Sequence, residues 1–165
     1  MEGREVESDA RKRIGAALGR ITSGAFVVTA TNEGAHSAML ASWLQQASFD
    51  PPMVTLCVKA DRAFRTTLEA AGRFTVNIVG QDSSAACFRH FGRGFAPGED
   101  AFEGVETRDA ATGPILADAV AHLECTVVHQ VESGDHRLYV ARVDAAQGRQ
   151  DAKPYVHHRK SGFSY

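Results

Sequence analysis

Between His36 and Asn77 the chain sets out three pieces in order. They are a run of small and polar residues (Ser37-Ala38-Met39-Leu40-Ala41-Ser42-Trp43), the segment Gln45-Gln46-Ala47-Ser48-Phe49-Asp50-Pro51-Pro52, and an apolar strand ending near Arg62. Small side chains let backbone N–H and C=O groups approach the polar edge of a flat heterocycle, and hydroxyls with a cation further along serve a phosphate. The order suits a flavin, with Ser48 and Arg62 at the phosphate end. Trp43, the sole tryptophan, suits either a planar ligand or a core edge. The segment from Asp61 to Arg65 reads as a helix start, where free N–H groups favour an anion and Arg62 adds a full charge; a capped helix with a solvated Arg62 is the competing reading. Gly134-Asp135-His136 reads as a turn, and a histidine beside a flavin would contact a nicotinamide or steady charge on the reduced ring.

Other chemistries lack their residues. Gly92-Arg93-Gly94-Phe95-Ala96-Pro97-Gly98 has one residue too many before its last glycine for a dinucleotide fingerprint, and it follows a helical pattern rather than a strand. A phosphate loop ending in Gly-Lys-Ser/Thr and a Gly-x-Ser-x-Gly elbow are absent from the sequence. Cys57, Cys87 and Cys125 are far apart and read as small buried hydrophobes. Cys125 with His129, or His157 with His158, finds no third ligand at a convincing spacing, so no metal is expected.

These groups must be positioned by a chain of 165 residues, the length of one domain, with 44% hydrophobic and 23% charged residues. We expect a single domain over 1–165, with 1–22 as an N-terminal helical segment. A formal charge of −2 supplies no basic field for nucleic acid and no polybasic membrane patch. The apolar runs are too short to span a bilayer and the first residues lack a signal-type apolar core, so the expected location is cytoplasmic.

Asp9 to Ile21 reads as a helix with Ile14, Leu18 and Ile21 as its apolar stripe and Gly24 as its end. Phe26 to Thr31 and His36 to Trp43 read as strands of a hairpin turning at Asn32-Glu33-Gly34. Pro51-Pro52 begins a strand from Met53 to Val58, Asp61 caps a helix from Arg62 to Ala71, and Gly72 stops it. Phe74 to Val79 is a strand and Ser83 to Phe91 a helix in which Cys87, Phe88 and Phe91 meet on one side. Gly92 to Gly113 is a long loop. Ala119 to Val131 and Arg137 to Ala146 are long strands, and Pro154 to Lys160 is a last strand or arm. Many strands with few helices imply a barrel, because closure removes exposed edges.

The order of these pieces resembles the flavin reductase-like family with its FMN-binding split barrel, and within it the C-terminal flavin reductase domain of cyanobacterial diflavin (flavodiiron-type) proteins. The resemblance is carried by Ala41-Ser42-Trp43, Gln46-Ala47-Ser48-Phe49 with Pro51-Pro52, Asp61-Arg62-Ala63, Phe74-Thr75-Val76-Asn77-Ile78, His90-Phe91, Phe95 to Asp100, Leu123-Glu124-Cys125, Gly134-Asp135-His136 and Val156 to Gly162. It implies a mainly β, Greek-key split barrel that forms homodimers with the flavin near the subunit interface. It also implies that Met39, Leu40, Ala41, Ser42 and Trp43 line the isoalloxazine, that Ala47 and Ser48 face ribityl and phosphate, that Arg62 with Ala63 meets the phosphate, and that His136 lies on the nicotinamide side as the catalytic residue. Lys59 joins the cofactor set, displaced by one residue from the lysine that precedes the Asp-Arg pair in related domains, a shift that reverses a strand side chain. The metallo-β-lactamase-like and flavodoxin domains of the diflavin proteins have no counterpart here, so their di-iron oxygen chemistry is not carried over.

The implied activity is an NAD(P)H:flavin oxidoreductase binding FMN, with FAD or riboflavin as alternative flavins, passing electrons to an acceptor. A flavin-binding electron carrier that does not use nicotinamide is the alternative, and a noncatalytic split-barrel binder of another planar or phosphorylated molecule a third reading.

Overall fold

The computed structural model describes the backbone of residues 2–164 and the side chains of residues 8–164. These fall into two units, one built from the chain's two ends (up to Ser23 and from Val156) and the other from Gly24–Tyr155. In the first, helix α1 spans Glu2–Leu18, starting earlier than the apolar stripe indicates and ending at Gly19 rather than Gly24. The tail runs back along α1: Gly162 N–H donates to the Gly15 carbonyl at 2.7 Å. A Cβ on Gly15 would stand 2.9 Å from the Phe163 ring, so the approach depends on the missing side chain. The stripe of Ile14, Leu18 and Ile21 is exposed. Strands β1 (Ser23–Gly24) and β11 (Val156–His157) form a short ribbon.

The second unit holds β2 (Phe26–Asn32), β3 (Ala35–Ala41), β4 (Leu44–Phe49), β5 (Pro52–Lys59), β6 (Arg73–Ile78), β7 (Thr107–Arg108), β8 (Ile115–Leu116), β9 (Ala121–Ser133) and β10 (His136–Gly148). Helix α2 (Phe64–Ala71) follows β5 and α3 (Ser84–Phe91) follows β6. Seven strands form one sheet in the order β3-β2-β6-β9-β10-β5-β4, with β7 and β8 as a separate pair. The sheet is open, with β3 and β4 as its edges, rather than closed as the strand count implied. Yet only Ser42 and Trp43 separate these two edges in sequence, a link that reaches about 10 Å, whereas a flat sheet of this order would put its edges roughly 29 Å apart. The sheet must therefore curl until its edges meet at that corner and splay elsewhere, which is a split barrel.

The local reasons are largely those of the sequence. Glu33 and Gly34 have φ values of 48° and 81°, the pair of positive angles that a two-residue hairpin needs to follow strand twist. Gly72 ends α2 with φ 65° and donates to Leu68 O. Asp61 is not the cap of α2: the helix begins at Phe64 behind Ala63, and Asp61 pairs instead with Lys59, Nζ to Oδ2 3.0 Å. The strand β4 was not foreseen, because Leu44-Gln45-Gln46-Ala47-Ser48-Phe49 lacks alternation; a register shift between Gln46 and Ser48 explains the loss of period.

Inside the curl, Val28, Met39, Leu56, Val58, Phe74 and Tyr139 pack with Phe64 and Leu68 of α2. On the outer side of β2 and β3, Val27, Ala38 and Leu40 meet Cys87, Phe88 and Phe91 of α3, the side that the helix was expected to present. Strand β2 is thus covered on both faces, and its polar Thr29 needs a partner. The loop 112–116 supplies it. Thr29 Oγ1 donates to Pro114 O at 2.7 Å and Thr75 Oγ1 to Gly113 O at 3.0 Å. Asn77 Oδ1 accepts Leu116 N–H at 2.8 Å. At Gly113, with φ 147°, a Cβ would lie 2.6 Å from the backbone of Thr29.

Candidate functional site

The corner where the sheet edges meet gathers much of the expected chemistry. Trp43 O accepts Cys57 N–H at 3.0 Å, fixing the link between β3 and β4 against β5. Antiparallel pairing of β5 with β10 sets Lys59 opposite His136, and Ala60 N–H donates to Asp135 O at 2.9 Å. The Trp43 and His136 rings lie 4.7 Å apart between centroids at 33°. His136 is buried and its Nδ1 stands 2.7 Å from Asp135 Oδ1. That hydrogen bond holds the Asp135 carboxyl below its ordinary range. An ionised carboxylate accepts, so the ring carries its proton at Nδ1. Lys59 points to the same face as His136 and Cys57, away from the barrel core that holds Val58 and Leu56. Burial pushes the Cys57 thiol up, which keeps it protonated at neutral pH.

Ser42 Oγ is buried and, among the described residues, has no hydrogen-bond partner. A hydroxyl in that state costs stability unless something reaches it. It adjoins Trp43 in sequence at the corner.

From Lys59 the site continues through Asp61 into a cavity of about 430 Å³. Met39, Arg62, Ala63, Arg93 and Phe95 are among its walls. The Lys59 hydrogen bond holds Asp61 below the ordinary carboxylate range. Glu99, also on the wall, is matched by Arg93 at 2.6 Å and is likewise held low by it. The cavity walls thus carry two cations, Arg62 and Arg93, and two carboxylates, Asp61 and Glu99, with Lys59 paired to Asp61 beside them. Gly94, with φ 73°, lets the loop pass Arg62: a Cβ there would stand 3.2 Å from Nη1.

The structure does not collect every expected residue. Met39 and Ala41 turn into the barrel core and Leu40 onto α3, so this stretch of β3 offers a ligand mainly its backbone and one flank of Met39. Ser48 is opposite Met53, at the far end of β5 from Lys59, and with the exposed Ala47 it is separated from Arg62 by roughly 20 Å of strand. Ser48 and Arg62 of one chain therefore do not share a phosphate. Sequence reasoning missed the roles of Asp135, Arg93 and Glu99. The Gly-Asp-His string hinted at the first, while the other two depend on a loop fold with no periodic signal.

Among the described residues no three His, Cys, Asp or Glu side chains gather as a metal site, and no helix is long and apolar enough to cross a membrane.

The comparisons with known proteins agree with this fold. The family model described as "Flavin reductase like domain" matches residues 18–164. Diflavin flavoprotein A 1 of Synechocystis sp. is 39% identical over 98% of the chain, and diflavin flavoprotein A 3 of Nostoc sp. is 41% identical over 98%. The chain spans only 28% and 29% of the lengths of these relatives. Among solved structures, the NADH:FAD oxidoreductase SgcE6 of Streptomyces globisporus superposes with a TM-score of 0.80 at 29% identity, covering 87% of this chain and 86% of that one. The styrene monooxygenase flavin reductase of Pseudomonas putida gives 0.73 at 27% identity, covering 87% and 90%. The fold is the split barrel of these flavin reductases, and the chain belongs to the flavin reductase-like domain family.

Proposed function

We propose that the chain is an FMN-binding flavin reductase that takes hydride from NAD(P)H and supplies an electron acceptor. The observation that carries this reading is the buried Ser42 Oγ, without a hydrogen-bond partner among the described residues, next in sequence to Trp43 whose ring lies against His136, with the Arg62-walled cavity reached through Lys59 and Asp61. That corner fits a flavin's polar edge, planar face and phosphate in turn. When bound, the flavin would accept hydride from the nicotinamide and pass electrons on. The protein's part is placement: Ser42 and the backbone of β3 hold the ring edge, Trp43 keeps water from one side, and Arg62 with Ala63 meets the phosphate. Asp135 fixes the His136 ring, and Lys59 stands beside it as a further charge. A solved structure of SgcE6 in complex with NAD and FAD fragments supports a nicotinamide nucleotide as co-substrate. We further propose a cytoplasmic homodimer.

The test is titration of the purified protein with FMN, following Trp43 emission and heat together, and then NADH or NADPH oxidation with added flavin. Saturable binding with quenching and steady-state oxidation is expected. Absence of flavin binding at micromolar concentration would reject the reading. Binding without nicotinamide oxidation would leave an electron carrier.

A further inference from the structure

At the opposite end of β10 from His136, roughly 36 Å along the strand, the start of β9 and the end of β10 face the β7–β8 ribbon across a cavity of about 320 Å³. We propose that this cavity is a second binding site, separate from the flavin corner, for a small organic acid whose carboxylate meets Arg108 and Arg149 and whose apolar body rests on Ile115, Leu116 and Val120.

His122 is the first reason. It is 8% exposed, lines the cavity and makes no side-chain hydrogen bond to a described residue. Leu123 packs towards the barrel core, so strand alternation turns His122 outward to the ribbon. Burial, then the charge of Arg108, holds the ring below its ordinary pKa of 6.5, with Glu124 pulling the other way. A neutral ring has one N–H to donate and one nitrogen to accept, and leaving a buried pair unanswered costs stability. The walls around it are fixed. Asn77 stands opposite His122 across β6 and β9 while its Oδ1 accepts Leu116 N–H at 2.8 Å, and Arg149 N–H donates to Val120 O at 2.8 Å. Gly148 keeps the cavity open, since a Cβ there would stand 3.2 Å from that of Ala121.

Charge and shape choose the ligand. Two arginines and one carboxylate, Glu106, line the cavity, and both arginines are exposed while Ile115, Leu116 and Val120 are buried beneath. An arginine fork matches a planar carboxylate, whereas inorganic phosphate would leave the apolar floor uncovered. Arg108 Nη2 reaches Gln147 Oε1 only at 3.4 Å, a long contact that a charged acceptor would replace. The volume stands at the small end of ligand sites and suits one ring rather than a nucleotide.

Benzoate is the probe, titrated into the full chain carrying isotope-labelled histidine, with the His122 signal identified by its loss in His122→Asn. A saturable shift of that signal is expected, with a Kd of about 1 mM or tighter, and binding roughly tenfold weaker in Arg108→Gln, an exposed position. Benzamide has the ring without the charge and inorganic phosphate the charge without the ring, so each should bind at least about tenfold more weakly than benzoate. FMN added to saturation should leave benzoate affinity unchanged. No shift of His122, or unchanged affinity in both Arg108→Gln and Arg149→Gln, would overturn the site. Phosphate binding as tightly as benzoate would overturn the organic acid as its ligand, and competition by FMN would overturn its separation from the flavin corner.

Discussion

Single side chains at the corner divide into those that would hold a ligand and those that would aim it. Arg62 belongs to the first kind. Losing a charged hydrogen bond to phosphate costs about 1.5 to 3 kcal/mol, so Arg62→Ala should weaken FMN roughly ten- to a hundredfold and riboflavin far less; parallel titrations of both flavins check this. Equal losses would make Arg62 a structural residue. His136 belongs to the second kind. His136→Ala should keep FMN affinity while slowing anaerobic reduction by NAD(P)H, and Asp135→Asn should slow it less, because the ring stays but loses its fixed proton position. Wild-type rates in folded, FMN-loaded His136→Ala would leave the Gly-Asp-His string as a turn. At this scale the sequence was readable where one residue type has few uses: the lone tryptophan and the histidine after a Gly-Asp turn do meet. The displaced lysine was readable only in part. Strand alternation correctly turns Lys59 away from Val58, but only the pairing of β5 with β10 brings it to His136. Ser42 entered only through the family resemblance, since burial without a partner is a property of three dimensions.

Between helix and sheet, one carboxylate oxygen ties α2 to β10. Glu69 Oε1 accepts from Tyr139 Oη at 2.7 Å, Arg137 Nη1 at 2.7 Å and Arg65 Nε at 2.9 Å. Burial raises the Glu69 pKa, but the Tyr139 hydrogen bond and the charges of Arg65 and Arg137 outweigh it and hold the carboxyl below its ordinary 4.5. Burial, then Glu69, pushes the Tyr139 phenol up, so it remains a donor. Glu69→Gln should therefore lower stability by about 1 to 3 kcal/mol at pH 7, measured by denaturant unfolding. The sign with pH follows from the lowered value: the folded state binds this proton less readily than the unfolded chain. The contribution is full above about pH 4.5 and fades as pH falls through the lower folded value, so the gap between variant and wild type should narrow in acid. A constant gap would remove the ionised Glu69 from the account. The elements themselves were mostly legible, since Gly72, the Asn32-Glu33-Gly34 turn and the proline pair act through local backbone geometry. What escaped was set by neighbours. Asp61 looks like a cap but finds Lys59 first, and β4 is held by β5 despite a pattern that no period describes.

For the molecule as a whole, the mainly β class followed from counting strands and the split barrel from the resemblance, whereas the place where the sheet opens followed from neither. It depends on which edges the Ser42-Trp43 link must join. Opening leaves apolar groups outside: Phe49 is 90% exposed and Val131 51%. Exposed groups of this kind fit the proposed dimer, and light scattering should give twice the chain mass for wild type and a shift toward monomer for Val131→Glu. A wild-type monomer at micromolar concentration would dismiss the dimer. Finally, the stitch at Gly113 constrains how this chain can vary. The segment after α3 is anchored where Thr29, Thr75 and Asn77 grip it, while Gly104, with φ 71°, has no neighbour within 4 Å of a built Cβ. In a saturation library, position 113 should reject even alanine, whereas Gly104 should admit asparagine and its surroundings an inserted residue. Drift in loop length over the molecule's history would thus collect upstream of the stitch, letting the walls of the ligand groove be remodelled without unpicking the barrel.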